Sequence, residues 1–183
     1  MKKFLLLLFL FTILCICFPY NASATHLMGA DISYECIGPG QYHITLTLYR
    51  DCNGIDIGTV QTVSYSSAQC GVSSSVVLHQ TAVSDITPVC PQQPNTRCGS
   101  GAQYGVEKHV YEGNISLPAG CGTDWILSWT VCCRNNAITN LSDPGNEDMY
   151  IKTCGIDNTL SPCDNSPVFL NDPVPFFCVN QPV

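Results

Sequence analysis

The number of cysteines restricts the fold of this chain more than any other feature. The 183 residues contain thirteen, and eleven of these are spread between Cys36 and Cys178 with no CxxC pair. In an exported chain, cysteines at this density predict a framework of disulfide bonds. Whether the chain is exported therefore decides how its cysteines are interpreted.

The first 24 residues have the order of a secretory signal peptide. Two lysines precede an apolar block, Phe4 to Phe18, and small residues follow at Ala22-Ser23-Ala24, which is the charge, core and cleavage-site order of such signals. The block has about fifteen residues, fewer than the roughly twenty that span a bilayer. We therefore expect cleavage after Ala24, a secreted or cell-surface protein, and no membrane span in the mature chain. A retained membrane helix is the alternative.

About five disulfides are the expected state of the mature cysteines. At about 3 kcal/mol each, they would match the whole net stability of a domain, about 5–15 kcal/mol. A zinc site is the alternative, but the four histidines lie on scattered, strand-like stretches. Because eleven is odd, one thiol is free, bonds another chain or has lost its partner, and we favour Cys178 for the last role because it lies five residues from the end. The structural disulfide candidates are Cys36, Cys52, Cys70, Cys90, Cys98, Cys121, Cys132, Cys133, Cys154, Cys163 and Cys178.

Residues 25–183 are long enough to form a single domain with its own core. Lys2 and Lys3 leave with the signal, so five basic residues face fourteen acidic ones, a formal net charge of −9. This charge argues against nucleic acid and against an anionic membrane surface as partners. Charged residues make up only 11% of the whole chain, against about 25% in typical proteins. Such a neutral-polar exterior is typical of secreted β proteins.

The stretch from Trp125 to Leu141 predicts a core strand. Large apolar residues recur at every second position from Trp125 to Val131, and this period of two is typical of a strand with one buried face. Cys132 and Cys133 should leave the strand on opposite faces and have different partners. A bond between them is the alternative, but Cα atoms joined by a trans peptide lie about 3.8 Å apart, less than the roughly 4.4–6.8 Å of a relaxed disulfide.

Strand-like segments account for most of the remaining mature chain. Asp31 to Cys36 and Tyr42 to Tyr49 flank Gly38-Pro39-Gly40 and predict a β-hairpin. Further β-branched and aromatic segments predict strands at 59–66, 75–83, 106–117 and 149–153. Because no helical period occurs after Ala24, we predict an all-β fold, a disulfide-rich antiparallel β-sandwich, immunoglobulin-like or related, with long loops.

Cysteine positions along these segments suggest some pairings and exclude others. Cys90 and Cys98 are predicted to close the proline-containing loop between residues 89 and 101. Cys36 and Cys52 lie at opposite ends of a regular hairpin, on the order of 30 Å apart, and are not expected to pair. The tail from Asp157 is rich in Pro, Asn and Asp and is predicted to wrap over the sheets.

Two acidic loops are candidates for a calcium site. Asp51, Asn53 and Asp56 place three oxygen-bearing side chains around Gly54, and calcium prefers such ligands. We favour the alternative that this is a turn in which Asp and Asn bond their own backbone, because the distal glutamate of the long calcium loops is absent. The loop from Asp143 to Asp148 has the same ambiguity.

No catalytic residues are predicted. No nucleophile stands in a motif with a base, and no carboxylate pair has a recognisable setting. Arg50 and Arg134 are candidates for binding an acidic ligand, but an internal ion pair with Asp51 or another acid is favoured. Six tyrosines are candidates for a sugar-stacking surface, although most are expected to be ordinary sheet residues: Tyr34, Tyr42, Tyr49, Tyr65, Tyr104 and Tyr111.

Several spaced blocks resemble the mature start of large gliding-motility-associated surface proteins that are exported by the type IX pathway. The resemblance covers nearly all of the mature chain and rests on Thr25 to Ile32, Tyr34-Glu35-Cys36, Tyr42 to Gly54, Cys132 to Leu141, Ser166 to Phe169 and Cys178-Val179-Asn180. It implies a β-rich, disulfide-bonded module at the cell surface. The chain stops at Val183, where this family goes on to further domains, so we expect a shortened or stand-alone copy. The resemblance supplies no catalytic residues.

These observations predict a non-catalytic structural or adhesion module whose partners are cell-surface or extracellular matrix components, glycans among them. No cofactor is expected, with calcium as the single alternative. An extracellular carbohydrate-binding module is the second hypothesis, and a secreted hydrolase is the third.

Overall fold

The structure, a computed structural model, is all-β in the part of the chain that it describes: residues 27–88, 98, 105–118, 120–135, 138–161 and 163–173. These residues contain no α-helix, and none of their segments is a helix long and apolar enough to cross a membrane. The strands are β1 (Leu27–Gly38), β2 (Gln41–Asp51), β3 (Val60–Ser67), β4 (Val72–Asp85), β5 (Val106–Ser116), β6 (Ile126–Cys132) and β7 (Asp148–Lys152). The predicted signal peptide lies outside the described residues.

All seven strands belong to one curled sheet in the order β1-β2-β5-β4-β3-β6-β7, and every neighbouring pair is antiparallel. The long strand β4 connects the two halves of the sheet, which are β1-β2-β5 on one side and β3-β6-β7 on the other. Its first part pairs with β3, its last part pairs with β5, and the register shifts between Gln80 and Ala82. The two halves share one core, so the predicted disulfide-rich antiparallel β fold is confirmed, as a single continuous sheet with a sandwich-like interior.

The core forms because apolar residues alternate along strands such as β2 and β6. In β2, the side chains of Ile44, Leu46 and Leu48 are fully buried. Facing them, Leu127 and Trp129 of β6 are also buried, as the alternating pattern of that stretch predicts. The alternation therefore identified both of these strands, and the core strand β6 begins at Ile126, one residue later than predicted.

The hairpin between β1 and β2 turns where the glycines predict it. Gly40 has a φ of +70°, a conformation that L side chains rarely adopt. A Cβ built on Gly40 would lie 2.8 Å from the Leu117 carbonyl oxygen, and the Leu117 N–H donates a 2.7 Å hydrogen bond to the Gly40 carbonyl. Only glycine fits this turn without displacing the segment after β5.

Three disulfides join parts of the chain that are distant in sequence: Cys36–Cys163, Cys52–Cys98 and Cys70–Cys121. Their Cα–Cα distances are 5.1, 5.3 and 5.8 Å, within the usual span of disulfides. The prediction that Cys36 and Cys52 are not partners is confirmed. The prediction that Cys90 and Cys98 close a loop is wrong, because Cys98 bonds Cys52.

Backbone contacts explain why Cys98 reaches Cys52. The Cys52 N–H donates to the Gly105 carbonyl at 2.9 Å, so the chain that leads into β5 passes beside the end of β2. A Cβ on Gly105 would lie 2.9 Å from the Cys52 Sγ and 3.2 Å from the Cys98 Sγ. This close approach of two segments depends on the order of strands in the sheet, so the local sequence does not predict it.

The adjacent cysteines at the end of β6 are bonded to each other. Cys132 and Cys133 form a disulfide across a cis peptide bond, with their Cα atoms 3.1 Å apart. The prediction that they have different partners is wrong. That prediction assumed a trans peptide and the Cα separation of disulfides between residues distant in the chain.

One thiol is free among the described cysteines. Among the described cysteines, Cys154 is exposed and has no disulfide partner. Cys90 and Cys178 lie outside the described residues. The described part of the chain therefore contains a free thiol just beyond β7, and the prediction that Cys178 has lost its partner stays a prediction.

Residues 163–173, which we call the strap, run along the edge of β1 and then over the outer face of the sheet. The Cys36–Cys163 disulfide holds one end. The Ser166 N–H donates to the Tyr34 carbonyl at 3.0 Å, and Lys108 forms a 2.5 Å ion pair with Asp172 near the other end. For the described residues, the strap agrees with the predicted wrapping of the tail.

Candidate functional site

Two of the most distinctive sequence blocks meet at one end of the curled sheet. The block after β2 begins at Arg50, and the block after β6 includes Arg134. Leu27 pairs with Arg50 and also forms an isolated bridge with Arg134, so both arginines lie beside the start of β1. Asn135 Nδ2 donates to Asp51 Oδ2 at 3.4 Å. Two of the blocks on which the resemblance rests are therefore in direct contact.

Arg50 is the central group of this end. It is only 6% exposed, and its Nε and Nη2 donate to Glu107 Oε2 at 3.1 and 2.6 Å. Its Nη1 donates to the Gly54 carbonyl at 2.8 Å and lies 2.9 Å from Asp56 Oδ1. The favoured interpretation of Arg50 as half of an internal ion pair is confirmed, with Glu107 as its buried partner.

Glu107 is held as a carboxylate by this arrangement. Partial burial alone would raise the pKa of Glu107, but hydrogen bonds from Arg50 and His109 outweigh it and lower the pKa below the ordinary value. His109 Nε2 lies 3.1 Å from Glu107 Oε2, and Gln80 Nε2 lies 2.9 Å from His109 Nδ1. Because an amide nitrogen only donates, Nδ1 accepts and Nε2 carries the proton.

The hydrogen bonds continue into the interior beyond His109. Gln80 Nε2 also donates to the Tyr111 hydroxyl at 3.2 Å, and that hydroxyl donates to the Gly58 carbonyl at 2.9 Å. Each polar group in this chain of bonds therefore has a partner, as buried polar groups require. The arrangement fixes β2, β4 and β5 to the loop before β3, which is a structural role.

The calcium hypothesis at Asp51, Asn53 and Asp56 is not supported by this geometry. Asp51 Oδ1 accepts the Asn53 N–H at 3.0 Å, which is the favoured turn in which an Asp bonds its own backbone. The Asp56 carboxylate is exposed and lies 2.9 Å from the Arg50 guanidinium, so it is already paired with a cation. In the second acidic loop, Asp143 accepts a 2.7 Å bond from Asn146 in the same local manner.

One group of metal-type side chains comes together in the described residues. The Cys52 and Cys98 sulfurs and a Glu107 oxygen all lie within 4.8 Å of one another. Both sulfurs are joined in a disulfide, and a metal binds the thiolate form of cysteine. The oxidised protein therefore uses the two cysteines as a cross-link.

The six tyrosines that were candidates for a sugar-stacking surface do not form one surface, because some of them are buried. Tyr42 and Tyr111 are fully buried, and Tyr34 packs edge-on against Tyr42 with 5.7 Å between ring centroids. Tyr65 packs against Trp125 at 6.4 Å. Tyr104 lies outside the described residues. Most tyrosines are thus ordinary sheet residues, as expected, whereas Tyr49 lines a cavity on the outer face.

This cavity, of about 380 Å³, lies between the strap and the outer face of β1 and β2. Sequence reasoning missed it because the strap residues that form its outer wall come from a segment without periodicity. The available signal was the pair of small residues Gly29, which lies opposite Tyr49, and Ala30. Its lining consists of Gly29, Ala30, Asp31, Tyr49, Phe169, Asn171 and Pro173.

Comparisons with models of protein families, with curated proteins and with solved structures find no match to this chain. Its relation to gliding-motility-associated surface proteins therefore stays a prediction that rests on the sequence blocks.

Proposed function

We propose that this protein is an exported, non-catalytic module of the cell surface with a structural or adhesive role. The observation that carries the proposal is the state of the cysteines. In the described residues, three disulfides connect distant segments and a fourth joins neighbours, with sequence separations from 1 to 127. Disulfides of this kind form and persist in oxidising compartments.

The buried charged groups support a structural role. Arg50, Glu107 and His109 are paired with one another inside the fold, so these charged groups are engaged in holding it together. The cavity beside Tyr49 lies on the outer face of the sheet, away from this buried cluster. The geometry therefore favours a cross-linked scaffold with a contact surface over a hydrolase.

Surface location explains the other features of the chain. A signal-like start, a net charge of −9 after cleavage and a neutral-polar exterior suit a protein that works outside the cell. The resemblance to gliding-motility-associated proteins supports the same location and suggests that the module serves cell attachment or the surface layer.

The free thiol of Cys154 provides a direct test of location. Intact source cells are treated with a membrane-impermeant maleimide, and the protein is then recovered under denaturing conditions. We expect labelling at Cys154, which is exposed, without cell lysis. Cys154→Ser is the matched control and should remain unlabelled. Labelling that occurs only after lysis would refute a surface location.

A second experiment addresses the role itself. Deletion of the gene should reduce cell attachment or spreading on a solid surface, and expression of the full chain should restore it. An intact phenotype in both assays would count against the adhesive role.

A further inference from the structure

We propose that the cavity between the strap and strands β1 and β2 binds a neutral sugar residue of a surface or matrix polysaccharide. This inference rests on the proposed function, because it gives the surface module a ligand. It also favours the carbohydrate-binding hypothesis over a passive scaffold. The cavity of about 380 Å³ falls within the roughly 300–1,000 Å³ of typical small-molecule sites.

Aromatic side chains on two different elements line the cavity. Tyr49 projects from β2, and Phe169 comes from the strap. Phe169 is 83% exposed, so most of its ring has no protein partner. The negative face of an aromatic ring attracts the weakly positive C–H groups on one face of a pyranose. The exposed ring beside the cavity therefore offers a free face on which a sugar ring can stack.

Small residues on β1 leave open the space between the sheet and the strap. Gly29 and Ala30 supply part of the lining, and a Cβ added at Gly29 would lie 3.5 Å from Tyr49 Cδ2. Larger side chains here would fill the space between the sheet and the strap. The strap itself is fastened by the Cys36–Cys163 disulfide and by the ion pair between Lys108 and Asp172. The site is therefore preformed, which lowers the cost of binding.

Polar groups in the lining match sugar hydroxyls. Asp31 offers a carboxylate acceptor, and Asn171 offers both a carbonyl acceptor and an amide donor. The phenol of Tyr49 adds a hydroxyl. Burial, followed by the nearby Asp172 and Asp31 carboxylates, raises the pKa of Tyr49, so the phenol keeps its proton as a donor. A few directed polar groups among apolar walls are the usual composition of a ligand site.

The charges around the cavity select a neutral ligand. Asp31 and Asp172 lie near Tyr49, and the cation of Lys108 is already paired with Asp172 at 2.5 Å. No unpaired cation is among the described residues that line the cavity. The carboxylates would repel uronic or sialic acids, as would the net charge of the mature chain. A neutral hexose or pentose residue meets none of this repulsion.

A second cavity extends the site. It has a volume of about 210 Å³, shares Gly29, Tyr49 and Pro173 with the first, and adds the apolar residues Met28 and Ile86 to its lining. Because the two cavities share a wall, a disaccharide would place one ring on each side of Tyr49. We therefore expect disaccharides to bind more tightly than the corresponding methyl glycosides.

The test uses the oxidised mature chain and a panel of neutral probes: cellobiose, maltose, laminaribiose, xylobiose and their methyl monosaccharides, with methyl glucuronide as the anionic comparison. Binding is measured by calorimetric titration and by saturation-transfer NMR. We expect at least one neutral disaccharide to bind with a Kd at or below about 1 mM. No binding of any neutral probe at 20 mM, taken as roughly twenty times that Kd, would overturn the proposal.

Two exposed neighbours on the strap supply a matched pair of variants. Phe169→Ala removes the aromatic wall and should weaken binding by about tenfold, which corresponds to the roughly 1.4 kcal/mol of a modest stacking contact. Leu170→Ala removes a 93% exposed side chain that does not line the cavity, and affinity should be unchanged. Equal affinity in the wild type and Phe169→Ala would contradict the proposal.

A third variant tests selectivity. Asp31→Asn keeps an acceptor and removes one charge, so methyl glucuronide should bind at least several-fold more tightly to it than to the wild type. An unchanged preference would overturn the charge argument. These outcomes are distinct from those of the surface test, because maleimide labelling of Cys154 on intact cells depends on location and is independent of any sugar.

Discussion

At the scale of single residues, the main feature is a charge that is buried and fully bonded. Arg50 lies inside one end of the sheet, and its guanidinium donates to Glu107 and to the Gly54 carbonyl. A buried ion pair does little for net stability, but the loss of one partner leaves the other charge without compensation. The pair therefore constrains which substitutions this end of the fold tolerates.

Glu107→Gln should destabilise the protein by about 2 kcal/mol, the usual cost of losing hydrogen bonds to a charged group. Arg50 keeps its contacts with Gly54 and Asp56, which limits the loss. The free energy of unfolding is measured by urea titration at pH 7. Glu35→Gln is the control, because Glu35 is exposed on β1 and its replacement should change stability by less than about 0.5 kcal/mol. Equal effects of the two variants would contradict the assigned role of the pair.

Asp124 makes stability depend on acid pH. Its carboxylate accepts bonds from the Ser67 hydroxyl and from the Ala68 and Gln69 N–H groups, and these lower its pKa below the ordinary 3.8. The unfolded chain therefore binds a proton at a higher pH than the folded chain does. The stabilisation is complete above about pH 4 to 5 and is lost as pH falls through the lowered pKa.

Urea midpoints measured from pH 7 down to pH 2.5 test this dependence. Wild-type stability should fall as pH drops below about 4.5, because the lowered pKa of Glu107 acts in the same direction. Asp124→Asn should be less stable at pH 7 and should show a shallower fall in acid. Parallel curves for the wild type and this variant would show that the Asp124 carboxylate is not the responsible group.

At the scale of elements, the sequence predicts strands well and contacts between their ends poorly. Alternating apolar residues identified the hairpin and the strand before Cys132, and the other four strands begin or end within a few residues of prediction. The partner of Cys52 could not be predicted, because it depends on the sheet order that brings Gly105 beside β2. The cavity escaped prediction for the same reason, since its wall comes from the distant strap.

Glycines in the two turns provide a test at this scale. Gly40→Ala should destabilise the protein by at least about 2 kcal/mol, because its φ is +70° and the new Cβ would lie 2.8 Å from the Leu117 carbonyl. Gly71→Ala is the matched control: its φ is +62°, with nothing within 4 Å of the new Cβ. It should cost only about 1 kcal/mol. Comparable losses in urea unfolding would show that the contact with Leu117 is unimportant.

At the scale of the whole molecule, disulfides connect the parts that the sheet does not. Cys70–Cys121 links the β3–β4 turn to the segment before β6, and Cys36–Cys163 fastens the strap to β1. The sequence predicted a cross-linked domain correctly, because the number of cysteines and the signal-like start are sufficient for that conclusion. It could not predict the pairing of Cys132 with Cys133, since spacing along the chain argued against a bond between neighbours.

The pattern of cross-links can be measured by non-reducing peptide mapping after alkylation of free thiols. We expect linked peptides for Cys36–Cys163, Cys52–Cys98 and Cys70–Cys121, and a single alkylated residue at Cys154. The Cys132–Cys133 bond should appear as one peptide that is two mass units lighter than its reduced form. Alkylation of most cysteines, or zinc bound to their thiolates, would contradict an exported and oxidised domain.

Counting extends this prediction to the two cysteines outside the described residues. Once eight mature cysteines are bonded and Cys154 is free, Cys90 and Cys178 are the two that remain. Described residues that precede each cysteine support a bond, because Ile86, four residues before Cys90, and Pro173, five residues before Cys178, line the same cavity. The intervening segments reach about 14 and 18 Å at most. We therefore expect a linked peptide of Cys90 and Cys178. In Cys90→Ser, Cys178 should become alkylated together with Cys154, whereas alkylation of Cys178 in the wild type would show that the chain carries more than one free thiol.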